Sequence, residues 1–135
     1  MSEAPKYVNP STWPRPSGFS HSIIAEGKII TLAGQIGWDP VREELISPDF
    51  VQQTRQALAN VMSALEAAGG KPEHLVRLTW YITDRKSYLD NLKAIGEVYR
   101  DEIGSHYPAM SVVIVTGLIV QGAKVEIEGT AVLQQ

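Results

Sequence analysis

Apolar and polar residues alternate along several short segments of the chain, which is typical of strands with one buried face. The clearest segment is Leu75 to Thr83, where Leu75 lies on one face and four apolar residues lie on the other: Val76, Leu78, Trp80 and Ile82. Similar reasoning predicts four further strands at His21 to Ala25, Lys28 to Gly34, Met110 to Thr116 and Lys124 to Leu133.

Two longer segments carry apolar residues at helical spacing. The first follows Ser47-Pro48-Asp49, where serine can cap a helix, proline suits its first position and aspartate favours the positive end of the dipole. Gly69-Gly70 supplies its end. Asp84 can cap a second helix, which ends at Gly104 and has an apolar stripe formed by Leu89, Leu92, Ile95, Tyr99 and Ile103.

The predicted order of elements is β-β-α-β-α-β-β, with a long loop from Gly37 to Pro48. It predicts an α+β fold in which two helices pack on one face of a mixed β-sheet. We expect one domain at residues 18–135, preceded by an extended, proline-rich arm at residues 1–17. The second face of the sheet would be bare, and a bare apolar face on a small domain favours a homo-oligomer.

Composition narrows the functional classes. The 135 residues include no cysteine, which excludes disulfides, thiolate nucleophiles and cysteine-ligated metals. The net charge of -3 and the absence of a basic cluster argue against a nucleic-acid partner. No apolar run approaches the roughly 18 residues of a membrane span. The start of the chain lacks the apolar core of a secretory signal, so we expect a cytoplasmic protein with no membrane partner.

Six short segments, in their order and spacing, resemble one known family. They are GFSHS at 18–22, ITLAGQI at 30–36, QTRQALANV at 53–61, TWYITD at 79–84, YPA at 107–109 and VEIE at 125–128. The first two look like the first hairpin of the Rid (YjgF) family, the reactive intermediate deaminases, whose members also carry RutC and endoribonuclease L-PSP labels. The third looks like that family's first helix, and the last two like its C-terminal signatures.

The resemblance implies a chorismate-mutase-like fold and a homotrimer whose ligand clefts lie between subunits. In the deaminase branch an enamine or imine, released by pyridoxal-phosphate enzymes, is hydrolysed to a ketoacid and ammonia, and no cofactor or metal is needed. Glu126 matches the glutamate that positions a water in that branch. Gly34 and Val112 match positions where backbone groups meet the small-molecule ligand.

Three positions depart from the deaminase pattern. Met110 stands where that branch has an arginine for the substrate carboxylate, and a thioether cannot replace a bidentate guanidinium. Ser20 aligns near an aromatic residue that faces the substrate, and Lys93 aligns with an asparagine in the second helix. The substrate-binding candidates are therefore Ser20, Gly34, Lys93, Met110 and Val112, with Glu126 as the catalytic candidate.

Acid–base candidates each have a structural alternative. From alternation alone Glu126 is a solvated strand residue, and Glu128 could share its role only by proximity. His21 and His106 are either acid–base groups or structural side chains, whereas His74 is expected at the surface. The three histidines lack the spacing of a metal site.

Other candidates concern the pocket and its charge. Met110, Trp80 and Trp38 could form an apolar pocket, although core packing is the better expectation for Trp80, and Trp38, in a loop, is the better pocket candidate. Arg77 either replaces the missing arginine or forms a surface ion pair. Lys93 is either an exposed lysine or an anion ligand, and Arg100 suits the negative end of its helix.

Three functions remain open from the sequence. The first is a hydrolase acting on an imine, an enamine or a related small C–N metabolite, with Glu126 placing the water. The second is a trimer that binds or senses a small molecule without catalysis, favoured by Met110. The third, an RNA-cleaving or interaction role, is disfavoured by the net charge of -3.

Overall fold

Residues 4–134 are described by a computed structural model, whereas residues 1–3 of the predicted arm and Gln135 lie outside the described residues. In chain order the elements are β1 (Lys6–Val8), β2 (Ser22–Ile24), β3 (Lys28–Ile36), β4 (Trp38–Asp39), β5 (Glu44–Leu45), α1 (Phe50–Ala67), a 3-10 turn (Pro72–His74), β6 (Leu75–Ile82), α2 (Arg85–Leu89), α3 (Leu92–Glu102), β7 (Ala109–Ile114) and β8 (Val125–Leu133).

Strands β3, β8, β6 and β7 form the central sheet in that order. Strand β8 is antiparallel to both of its neighbours, whereas β6 and β7 are parallel. A parallel pair needs a crossover, and α2 and α3 provide it. The α+β class and the mixed sheet predicted from the sequence are therefore confirmed.

The helices cover one face of this sheet. Helix α1 packs on β3 and β8 and against α3. Leu78, Trp80 and Ile82 of β6 are buried in the core that these helices close. The alternate residues of the same strands form what we call the open face: Arg77, Thr79 and Tyr81 of β6, Ser111 and Val113 of β7, and Glu126, Glu128 and Thr130 of β8.

Helix α1 begins two residues later than its sequence pattern suggested, at Phe50 and not at Pro48. Asp49, and not Ser47, is the N-cap, and its side chain accepts a hydrogen bond from the Gln52 amide. The Ser47 hydroxyl instead accepts from the Asp49 amide. The helix ends where predicted, because Gly69 adopts a left-handed conformation with φ of 87°.

A β-bulge at the start of β6 changes the face on which Leu75 lies from the one expected. The pairing of β6 with β8 shifts register between Leu75 and Arg77, which leaves Val76 as the extra residue. Leu75, expected on the face opposite Leu78, is therefore fully buried in the core. A strict period of two fails at Val76 because alternation assumes a regular strand.

The second predicted helix is two helices. Asp84 caps α2 by accepting from the Ser87 amide, as expected, but α2 ends after Leu89 and α3 starts at Leu92. This break takes Leu89 and Leu92 out of the predicted stripe, and both are about half exposed. Ile95, Tyr99 and Ile103 keep their predicted place in the core.

The N-terminal segments pair differently from the expected first hairpin. Strand β2 is antiparallel to β1, with Tyr7 opposite Ile23, whereas β3 pairs with β8. Within the segment expected to be a long loop, β4 and β5 form a small antiparallel pair. The arm thus contributes a strand of its own.

Candidate functional site

Glu126 lies on the open face near the end of the sheet where β8 begins and β6 ends, opposite Tyr81 on β6 and Ile36 on β3. Its carboxylate rests on the backbone of Gly34. A β-carbon built on Gly34 would stand 2.7 Å from Oε2 of Glu126, so only a glycine leaves that space to the carboxylate. Gly34 lies where the β3–β8 register shifts, between Leu32 and Gln35. Two of the sequence-predicted site residues are therefore in contact.

Tyr81 stands beside both glutamates of β8. A hydrogen bond with Glu128 raises the pKa of Tyr81 above its ordinary value, and burial and the charge of Glu126 act in the same direction. The phenol therefore stays protonated and donates to Glu128. Within residues 4–134 the side chain of Glu126 has no hydrogen-bond partner, so its carboxylate can accept from a water or a ligand.

A separate cavity of about 570 Å³ lies on the helix side of the sheet, along the β7 edge. Trp80, Met110 and Val112 line it from the sheet, and Lys93 and Gly96 line it from α3. Met110 and Val112 face this side because they pair in register with Leu78 and Trp80, whose side chains are buried under the helices. Three sequence-predicted residues, Lys93, Met110 and Val112, are thus brought together here.

The two groups of site residues are on opposite faces of one sheet. Tyr81 is paired across the sheet with both Val113 and Glu126, so these three side chains lie on the same face. Met110 is paired with Leu78, whose side chain lies on the other face. Strand β6 lies between β8 and the β7 edge, and neighbouring strands are about 4.8 Å apart. A small ligand in the cavity cannot reach around two strands to Glu126 of the same chain.

Ser20 is placed beside, and not inside, the cavity. It is buried, its hydroxyl donates to the Tyr107 carbonyl at 2.7 Å, and its amide donates to the Pro108 carbonyl at 3.1 Å. These bonds attach the segment before β2 to the segment before β7. Ser20 thereby positions the neighbouring Gly18 and Phe19, which do line the cavity.

The three histidines all have structural contacts. His106 bonds through Nε2 to the Leu75 carbonyl at 2.7 Å and through Nδ1 to the Tyr7 hydroxyl. Nδ1 of His74 accepts from the Lys71 amide at 2.9 Å, within the 3-10 turn. The ring of His21 makes edge contacts with Trp13 and Phe19.

The remaining sequence candidates divide between the two faces. Arg77 lies on the open face, with its guanidinium 3.5 Å from the Ser111 hydroxyl, and so is on the face opposite the Met110 side chain. Trp38 lies in β4, where its carbonyl accepts from Asn60. Arg100 lines the cavity from α3.

Sequence reasoning missed the aromatic wall of the cavity. Tyr99 and Tyr107 stack there with ring centroids 5.2 Å apart. Core packing was the preferred expectation for Trp80, and the residue is buried, yet it also lines the cavity. A glycine inside a helix is a signal of close approach, and Gly96 could have marked this side of α3.

The described part of the chain contains neither a cluster of metal-binding side chains nor a membrane-spanning helix. Among residues 4–134, no three histidine, aspartate or glutamate side chains are grouped as a metal site would require. No helix in the same part of the chain is long and apolar enough to cross a membrane.

Comparison with known proteins identifies the family. The sequence profile of the family described as endoribonuclease L-PSP matches residues 13–133. The RutC family protein PH0854 of Pyrococcus horikoshii is 34% identical over 118 residues, 87% of this chain and 90% of that protein. The 2-iminobutanoate/2-iminopropanoate deaminase of Capra hircus is 31% identical over 114 residues, 84% of this chain and 79% of that protein.

The fold comparison agrees with the sequence comparison. The crystal structure of the Rid family protein YyfB of Yersinia pestis superposes with a TM-score of 0.86 at 34% identity, covering 97% of this chain and 100% of that one. The chain therefore belongs to the endoribonuclease L-PSP family, which includes the Rid (YjgF) and RutC proteins, and it has their fold.

Proposed function

We propose that this protein hydrolyses an imine, an enamine or a related small C–N metabolite, with Glu126 positioning the attacking water. The observation that carries the proposal is the Glu126 carboxylate, which rests on Gly34 and has no hydrogen-bond partner within residues 4–134. A relative at 31% identity is named as a 2-iminobutanoate/2-iminopropanoate deaminase, which supports the same reaction class.

The chemistry needs one carboxylate and one water. Glu126 accepts a proton from the water as its oxygen bonds to the C=N carbon, and the nitrogen receives that proton. The carbinolamine then loses ammonia as its hydroxyl becomes a carbonyl. In this proposal backbone groups beside Gly34 and Val112 hold polar atoms of the substrate, a role that does not depend on their side chains.

The position of Glu126 requires a second subunit in this proposal. The open face also bears Val113, which is 40% exposed, and exposed apolar surface on a sheet is commonly covered by another copy. In a homotrimer the open face of one subunit would lie against the cavity of its neighbour, and the cleft would unite Glu126 with Met110. The family resemblance favours this assembly.

A second candidate is a trimer that binds a small molecule without turnover. Met110 favours it, since the cavity there has a thioether in place of a carboxylate-binding arginine. The two candidates differ in one observable, which is product formation by the pure protein.

Ammonia release from freshly generated 2-iminobutanoate or 2-aminoacrylate tests the proposal. Glu126→Gln should lower the rate at least about a hundredfold, the usual contribution of a general base. The matched control is Glu128→Gln, on the same strand and face, which should retain most activity. Equal rates in wild type and Glu126→Gln, or no ammonia from wild type with any imine, would reject the hydrolase.

A further inference from the structure

Among residues 4–134 the indole N–H of Trp80 has no hydrogen-bond acceptor. Trp80 is 2% exposed, and its Nε1 is buried without a hydrogen-bond partner in the described structure. A buried donor without an acceptor costs free energy, and such groups are rare in folded proteins. Because Trp80 also lines the cavity of about 570 Å³, a ligand there that shifts the buried indole slightly can supply the missing acceptor.

Two cations border the same cavity from α3. Lys93 and Arg100 are seven residues apart and therefore lie on one side of the helix. Within residues 4–134 neither side chain makes an ion pair or a hydrogen bond. Gly96 lies between them, and a β-carbon there would stand 3.4 Å from Nη1 of Arg100. The missing side chain leaves the space between the two cations open to an anion.

The rest of the cavity is apolar and aromatic. Met110 and Val112 form its floor, and the stacked Tyr99 and Tyr107 rings lie beside them. Its volume falls within the roughly 300–1,000 Å³ of drug-sized ligand pockets, well above the needs of a four-carbon imine. The lining and the volume both favour a ligand with a bulky apolar body.

We propose that this cavity selects carboxylates with an aromatic or branched apolar body, held at the carboxylate by Lys93 and Arg100 and at a second acceptor by the Trp80 indole. The inference rests on the proposed function, because it names the substrate class of the same site. The substrate carboxylate would therefore be bound by side chains of α3, and not by the residue at the position of Met110. In a hydrolase such substrates are the imino acids of large apolar amino acids, and the products are the matching 2-ketoacids.

Calorimetric titration with phenylpyruvate tests this assignment without requiring turnover. Phenylpyruvate has the ring, the carboxylate and a ketone acceptor. Its methyl ester removes the charge, and pyruvate removes the ring. We expect phenylpyruvate to bind at least about tenfold more tightly than either, because the ester lacks the hydrogen-bonded charge and pyruvate lacks the apolar ring that the cavity would bury.

Substituted variants test whether Lys93 and Arg100 bind the carboxylate of phenylpyruvate. The double variant Lys93→Gln with Arg100→Gln should lose about tenfold or more in affinity for phenylpyruvate and leave the ester unchanged. The control Arg85→Gln removes an exposed cation from α2, outside the cavity, and should change neither affinity. In the nitrogen–proton spectrum the indole signal of Trp80, identified by its loss in Trp80→Phe, should move downfield on binding.

Three results would overturn the inference. They are equal binding of acid and ester, an unchanged affinity in the double variant, or no binding of phenylpyruvate at millimolar concentration. Ammonia release that persists with small imines would then leave the proposed function standing. Tight, Lys93-dependent binding without any turnover would instead support the cavity and reject the hydrolase.

Discussion

The carboxylate of Glu126 occupies the space that a side chain at Gly34 would take. A β-carbon at position 34 would come within 2.7 Å of Oε2 and 2.9 Å of Cγ of Glu126. Two residues that are far apart in sequence, on β3 and β8, thus fix one another. The glycine is needed for the position of the carboxylate, because its φ is not in the left-handed region.

Gly34→Ala should therefore impair catalysis more than stability. The added methyl group displaces the end of a flexible, partly exposed side chain, so the unfolding temperature should fall by only a few degrees. Turnover should fall about tenfold or more, since a displacement of about 1 Å in a catalytic group has effects of this size. Steady-state ammonia release and a thermal melt measure the two effects.

Gly117→Ala is the control for this substitution. A β-carbon there meets no atom within 4 Å, and Gly117 lies outside the left-handed region. Wild-type turnover in Gly34→Ala would show that the position of the Glu126 carboxylate is unimportant for the reaction.

The hydrogen bond between Tyr81 and Glu128 predicts a pH effect. Because Glu128 raises the pKa of Tyr81, Glu128→Gln should lower that pKa toward its ordinary value near about 10. The folded-state pKa lies above the unfolded value, so the associated stability is present below about pH 10 and is lost as the pH rises through the raised pKa. Absorbance at about 295 nm, with Tyr81→Phe to assign the transition, follows the ionisation of tyrosine.

Glu126→Gln provides the comparison for Tyr81. The charge of Glu126 raises the Tyr81 pKa less than the hydrogen bond from Glu128 does, so its removal should produce the smaller shift. A larger shift from Glu126→Gln would mean that the phenol donates to Glu126, and that this carboxylate is not free for a water.

Gln53 should be essential for stability although it does not line the cavity. It is fully buried, donates to the Ser47 and Gly122 carbonyls at 2.9 and 3.1 Å, and accepts from the Lys124 amide at 2.8 Å. Gln53→Leu leaves three backbone groups unsatisfied and should cost about 3 kcal/mol or more of unfolding free energy. Urea unfolding measures this loss.

Gln52→Leu is the matched control, because Gln52 is exposed on the same helix. It should change the unfolding free energy by no more than about 0.5 kcal/mol. Equal losses in the two variants would contradict the role given to the buried amide, and would instead indicate a general sensitivity of the start of α1.

Local signals in the sequence were enough to predict the layered fold. Alternation predicted the four strands of the central sheet, and Asp84 and Gly69 marked helix ends correctly. The predictions of faces and helix bounds were wrong where the backbone departs from a regular strand or helix. Nothing in the chain around Val76 announces a bulge, because a bulge depends on the partner strand. Likewise, the break after Leu89 occurs inside an unbroken apolar stripe.

The candidate site was harder to predict than the fold. Sequence motifs named Glu126 and Met110 as members of one site, but motifs carry no information on the face of the sheet. The register places these two residues on opposite faces. The lack of a hydrogen-bond partner for the Trp80 indole could not be predicted either, since a tryptophan among the apolar residues of a strand ordinarily indicates only the core.

Mixed trimers test most directly whether Glu126 acts on the cavity of a neighbouring subunit. Glu126→Gln removes the carboxylate and keeps the cavity, whereas Gly96→Trp fills the cavity and keeps the carboxylate. Each variant alone should be inactive in ammonia release. When the two chains are co-expressed at equal levels, about a quarter of the clefts should pair an intact cavity with an intact Glu126, and about a quarter of wild-type activity should return. A mixture no more active than its two parents would contradict this account and place the carboxylate and the substrate within one chain.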